Sequence, residues 1–209
     1  MKCIYINESG TIEREHPSLA VINAIVVDSN KRTEIKNTIT QIVLDTYGPE
    51  NRSETLRWTK VSPNNIIPYA NVISVFNKTD AISFDAMVIK KFTNKKRYPT
   101  YVALIHSIFN RLEGEDIRVF IPTKRYAKTV IKKLREELIA VGIDCEIYQN
   151  PIEESRFYQM ADIGGGMLSY YLRDDQFFDK IDQPGKSQLV HYVLGMKKTK
   201  NKINITYIS

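Results

Sequence analysis

The sequence predicts an α/β protein, a sheet flanked by helices. Apolar runs rich in β-branched residues recur at residues 2–7, 19–28, 81–90, 117–121 and 143–148, as strands require. Several segments between them repeat apolar residues at helical spacing. The order runs strand, strand, helix, irregular segment, helix, strand, then helix–strand–helix–strand–helix, the alternation of a layered α/β fold.

The first strand, residues 2–7, ends in the turn Glu8-Ser9-Gly10. The second is the β-branched run 19–28. Residues 30–47 place Ile35, Ile39, Ile42 and Val43 on one helical face, and Gly48-Pro49 stops them. Residues 50–60 are polar and irregular around Leu56 and Trp58. Ser62-Pro63 starts a helix with an N-cap and proline at its first position. Pro68 should kink or restart it. After the strand 81–90, residues 90–98 read as a basic loop, and 101–112 as a helix ended by Gly114. The helix 124–141 turns Ala127, Val130, Ile131, Leu134 and Leu138 inward and closes at Gly142. After the strand 143–148, residues 155–173 and 187–196 read as helices. The last residues form a basic tail with strand character. No repeat or linker splits the chain, so 1–209 is expected to be one domain.

Composition narrows the class. The 209 residues suffice for one full core, and 43% are hydrophobic. Lys and Arg number 30 against 24 Asp and Glu, a net charge of +6. That balance suits a polyanionic partner, and equally a surface rich in solvated lysines. Cys3 and Cys145 each sit in an apolar run, where Cys acts as a small hydrophobe. Two lone thiols fit a reducing cytosol. The N-terminus lacks the pattern of a signal peptide. The longest apolar stretch, 19–27, is broken by Asn23 and too short for a bilayer. A cytoplasmic protein without membrane contact is therefore expected. No Cys/His metal spacing, Ser/His/Asp arrangement, P-loop or dinucleotide fingerprint occurs.

Two segments far apart carry the sharpest pattern. One is Tyr5-Ile6-Asn7-Glu8-Ser9-Gly10. The other is Gln159-Met160-Ala161-Asp162-Ile163, followed by Gly164-Gly165-Gly166. With Leu56-Arg57-Trp58 between them, they resemble the signature blocks of the DUF3800 family. That family has a ribonuclease H-like fold and is predicted to contain metal-dependent nucleases. The resemblance implies a mixed sheet flanked by helices, with a helical insertion, about residues 30–78, between the second and third strands.

It also implies where the chemistry would lie. Two-metal phosphodiester cleavage needs several carboxylates around ions about 3.5–4 Å apart. The family draws its acids from four places. At the first strand this chain has Asn7, a neutral amide that otherwise reads as a turn residue. Glu8 matches the family's second acid, but its strand neighbour's alternation should send it to the other face. In the Trp58 block, Thr55 falls on the acid's position, with Glu54 one residue away. At the end of the strand 117–121 stand Pro122 and Thr123, followed by Lys124 and Arg125, a pair that favours a phosphate over a metal. Only Asp162 is in place, one helical turn from Gln159. Asn7, Thr55 and Thr123 are thus vestigial positions, and Asp162 is the one candidate metal ligand. Binding of Mg²⁺ or Mn²⁺ should be weak or absent.

The basic segments suggest a partner. Lys90, Lys91, Lys95, Lys96 and Arg97 surround Phe92 and Tyr98, a mixture suited to single-stranded DNA or RNA. The sequence therefore points to a nucleic-acid-binding relative of a nuclease, a pseudoenzyme with little or no cleavage. One alternative is an active nuclease using Glu8, Glu54 and Asp162. The other is a protein-interaction module that never meets nucleic acid.

Overall fold

A computed structural model describes residues 1–9, 19–51, 55–90, 93–121, 127–149, 155–174, 184–194 and 202–208. Its strands are β1 (Lys2–Ser9), β2 (Leu19–Asp28), β3 (Ile82–Lys90), β4 (Ile117–Ile121), β5 (Glu146–Gln149) and β6 (Ile203–Ile208). Its helices are α1 (Arg32–Tyr47), α2 (Ile66–Lys78), α3 (Asn94–Arg111), α4 (Ala127–Ala140), α5 (Ser155–Asp174) and α6 (Pro184–Leu194). The strands form one mixed sheet in the order β5-β4-β1-β2-β3-β6. The β1–β2 and β2–β3 pairs are antiparallel, and the other three are parallel.

Strand alternation divides the core into two layers. Cys3, Tyr5, Val21, Ile25 and Phe84 face α1, α2 and α5. Ile4, Ile6, Ile22, Val26 and Met87 face α3 and α4, through Leu104, Ile108 and Leu134. An aromatic column ties the first layer together. Tyr5 stacks on Phe120 at 4.7 Å and on Phe157 at 4.5 Å, and Phe120 stacks on Tyr148 at 5.1 Å. Burial raises the pKa of the Tyr5 hydroxyl, and the Arg32 guanidinium donates to it.

Residues 30–78 contribute α1 and α2, between β2 and β3. Pro68 does not kink α2. It is the third residue of that helix, in the first turn, where a missing N–H breaks no bond. A separate 3₁₀ turn, Pro63–Asn65, precedes it, closed by the reciprocal Ser62 and Asn65 caps.

Two expectations need correction. β1 runs on through Glu8 to Ser9, so these residues are strand rather than turn. Residues 94–98 are not a loop but the start of α3, which opens after the extended Thr93. Lysine is a good helix former, and Tyr101, Leu104 and Ile105 bury the helix against the sheet. Pro99 sits inside α3 on its exposed side and removes one backbone bond there. No described helix is long and apolar enough to cross a membrane.

Candidate functional site

Helix α5 lies unusually close to its neighbours because three successive positions lack side chains. A Cβ on Gly164 would stand 2.7 Å from the Phe84 ring. One on Gly165 would stand 2.6 Å from Ser9 Oγ and overlap Asn23. One on Gly166 would overlap the Trp58 ring. The glycines cost helix propensity and gain close approach on three sides.

That approach assembles a polar cluster at the end of β1. Asn7 and Asn23 are directly paired across β1 and β2, so their side chains share the α5 face. Asn7 Nδ2 lies 3.4 Å from Ser9 Oγ. Asn23 is fully buried, and its Nδ2 donates to the Ala161 carbonyl at 2.8 Å. Among the described residues, Asn23 Oδ1 is buried without a hydrogen-bond partner.

The outer side of α5 holds the segment after residue 54. Gln159 Oε1 accepts from the Leu56 N–H at 3.3 Å and from Arg156 Nη1 at 3.2 Å. Asp162 Oδ2 accepts from the Trp58 N–H at 2.8 Å. Thr55 is half-buried beside Leu56. The Trp58 ring meets Tyr170 edge-on at 6.0 Å and carries Lys186 Nζ 5.5 Å above its centre. Burial lowers the pKa of that lysine.

Asn7, the Leu56–Trp58 segment and Asp162 thus share one side of the sheet. Glu8 does not join them. It points to the opposite face, where its Oε1 accepts from the Tyr101 hydroxyl at 2.5 Å and pairs with Arg97 Nε at 2.8 Å. Burial, then the Glu8 charge, raises the pKa of Tyr101. Glu8 and Asp162 therefore cannot hold one ion between them. Glu54, Thr123, Lys124, Arg125 and Lys91 lie outside the described residues.

The basic residues also sit away from Asp162. Lys95, Lys96 and Arg97 open α3, on the other face of the sheet. Lys95 is exposed, as is Lys90 at the end of β3. Lys133 of α4 lies 5.7 Å above the Tyr98 ring and extends this basic surface. Arg97 is committed to Glu8.

Asn23 was not foreseen as a site residue. Its one sequence signal is a lone amide inside an otherwise apolar strand, because a fully buried amide needs a specific partner.

Among the described residues the cluster offers a divalent ion a single carboxylate, Asp162. Asp162 already accepts a backbone N–H, and the Asn7 and Asn23 amides supply no charge. Among the described residues, no group of three His, Cys, Asp or Glu side chains could hold a metal. Millimolar Mg²⁺ or Mn²⁺ should therefore move the melting temperature by less than about 1 °C, since stabilisation requires binding to the folded state. Differential scanning fluorimetry checks this. A rise of several degrees that disappears in Asp162→Ala would show that the cluster does hold the ion.

No family model matches this chain, and no curated protein matches it. Solved structures do. The ribonuclease H2 from Pyrococcus horikoshii OT3 superposes with a TM-score of 0.52 at 10% identity, over 90% of this chain and 84% of that one. Ribonuclease HII in its complex with PCNA from Archaeoglobus fulgidus gives 0.48 at 10% identity, over 95% and 91%. The first likeness, with the six-stranded mixed sheet between helices, shows a ribonuclease H-like fold.

Proposed function

We propose that this chain binds nucleic acid on a ribonuclease H-like scaffold and performs little or no phosphodiester cleavage. The observation that carries the proposal is the cluster beneath α5. Asn7 stands where the DUF3800 resemblance leads one to expect an acid, and a second amide, Asn23, is paired beside it. Among the described residues the carboxylate in this cluster is Asp162, and it anchors the Trp58 segment. Cleavage by a pair of metal ions needs converging negative charge, and this arrangement offers little. Retention of the fold of a ribonuclease and a net charge of +6 support a nucleic-acid partner.

The binding surface is the basic start of α3. Lys90, Lys95 and Lys96 supply phosphate contacts, and Tyr98 supplies an aromatic surface. Arg97 acts indirectly, because Glu8 holds its guanidinium.

Fluorescence anisotropy with a labelled single-stranded oligonucleotide tests this. Log affinity should fall linearly with log salt, at about −0.7 per phosphate contacted. Lys95→Ala with Lys96→Ala should flatten the slope by about 1.4. Tyr98→Ala should weaken binding and leave the slope nearly unchanged. Incubation with Mn²⁺ should leave the oligonucleotide intact. Absence of binding to DNA and RNA at low salt would sink the proposal. Cleavage that Asp162→Ala abolishes would overturn its second half.

A further inference from the structure

Three large apolar side chains that face solvent meet at one place. Tyr171 near the end of α5 is 51% exposed, and Ile205 and Tyr207 on β6 are 37% and 63% exposed. They rim a cavity of about 340 Å³ between the sheet and helices α2, α5 and α6. Its wall is almost wholly apolar, including Ile73, Phe76 and Phe84. Soluble surfaces seldom gather such residues without a partner.

The strand beneath them is open on one side. Among the described residues β6 pairs only with β3, so its outer edge presents backbone N–H and C=O groups without strand partners. Its six residues contain no charge and no proline. The opposite edge is guarded. β5 is four residues long and carries Glu146, paired with Arg118 at 2.8 Å. Short length and charge are the usual protections of an edge, and β6 has neither.

We propose that β6 is a dimer interface, where two copies of this chain join their β6 strands antiparallel about a two-fold axis perpendicular to the sheet. Self-pairing suits this strand in particular. Each copy carries a net charge of +6, so two copies repel, and a neutral strand is a place where they can meet. Ile203, Ile205 and Tyr207 all lie on the cavity side of β6. A two-fold of this orientation keeps these residues of both copies on one side of the joined sheet. Tyr207 of each copy then comes beside Ile203 and Ile205 of the other and roofs its cavity.

The area is adequate for a reversible dimer. Covering the exposed parts of Tyr171, Ile205 and Tyr207 removes roughly 300 Å² per copy from water. With the strand edges added, the pair comes to on the order of 1,200 Å², the lower end of specific interfaces.

Sedimentation velocity across the micromolar range tests the proposal. The wild-type chain should move from one 24.2 kDa chain towards twice that mass as concentration rises. Tyr207→Lys and Ile205→Lys each place like charges across the two-fold axis. Each should raise the dimer dissociation constant on the order of tenfold or more. Tyr207 is largely exposed, so at concentrations where both chains are monomeric Tyr207→Lys should keep the wild-type circular dichroism melt. A wild-type chain that stays monomeric throughout overturns the proposal. So does a dimer that both lysine variants leave intact, because that dimer would use another surface.

Discussion

Asn23→Asp should destabilise this protein by about 3–5 kcal/mol at neutral pH, the cost of a buried charge without a partner. Asn23 is fully buried and donates to the Ala161 carbonyl at 2.8 Å. A carboxylate has no proton to donate and would face that carbonyl oxygen to oxygen. A domain of this kind is stable by about 5–15 kcal/mol, so the loss is a large share. Its pH dependence has a definite sign. Burial would raise the introduced carboxyl's folded pKa above the unfolded value near 3.9. The protonated form can still donate to Ala161. The loss is therefore smallest below the unfolded pKa and grows as pH rises through the folded one. Urea denaturation of variant and wild type below about pH 4 and at mildly alkaline pH measures both ends. A small loss that does not change with pH would mean that the amide does not hold α5 to the sheet. Asn7→Asp is the contrast. Asn7 is half-buried, and its bond to Ser9 is long, so the same change should cost less than about 1 kcal/mol.

Gly166→Ala should cost about 1–3 kcal/mol, the usual penalty of overpacking a core. The added methyl would stand 2.6 Å from Trp58 Cβ and overlap the ring carbons. The α5 backbone cannot retreat, because Gly165 already rests on Ser9 and Asn23. The Trp58 segment must move instead, and the 2.8 Å bond from its N–H to Asp162 loosens with it. Trp58 is the chain's one tryptophan, so intrinsic fluorescence reports on it alone. The emission should shift to the red as the ring gains water, and the melting temperature should fall. Unchanged emission with unchanged stability would show that α5 has room for a side chain there. Gly142→Ala makes a useful comparison. Among the described residues no atom lies within 4 Å of its Cβ position, but its φ of +82° strains any L residue. Its cost would come from the backbone, and the emission should stay put.

Much of this fold was legible in the sequence because periodicity and punctuation agreed. The apolar strands, the helix around Ile35, Ile39 and Val43, and the stop at Gly48 all follow local rules. Some of the rest failed where tertiary contacts outweighed local signals. Residues 94–98 looked like a loop because lysines and Pro99 hid the helical register. Their helix is held by Tyr101 and Leu104 against the sheet and by the tie from Arg97 to Glu8. The end of β1 was misjudged for a related reason. Glu8 and Ser9 have turn-like composition, yet pairing with Ile22 and Val21 keeps them extended. The three-glycine run has a cost in helix propensity that its close packing offsets. What each glycine touches depends on register between distant segments, which no local pattern encodes. Asn23 was hidden in the same way, because a polar residue in a strand does not announce the carbonyl it will meet.

The order of the sheet also sets a timetable. β1 is central, with β2 on one side and β4 on the other, and its pairing with β4 joins Lys2 to Ile117. A chain made from its N-terminus can pair β1 with β2 first and add β3 once residues 30–78 have followed. One edge of β1 then waits, unpaired, until residues more than a hundred positions later arrive to cover it. Long-range parallel pairings of this kind form slowly, and an open apolar edge invites association while it lasts. The strand that ends up best protected in the finished molecule is thus the one most exposed to error while the molecule is being made.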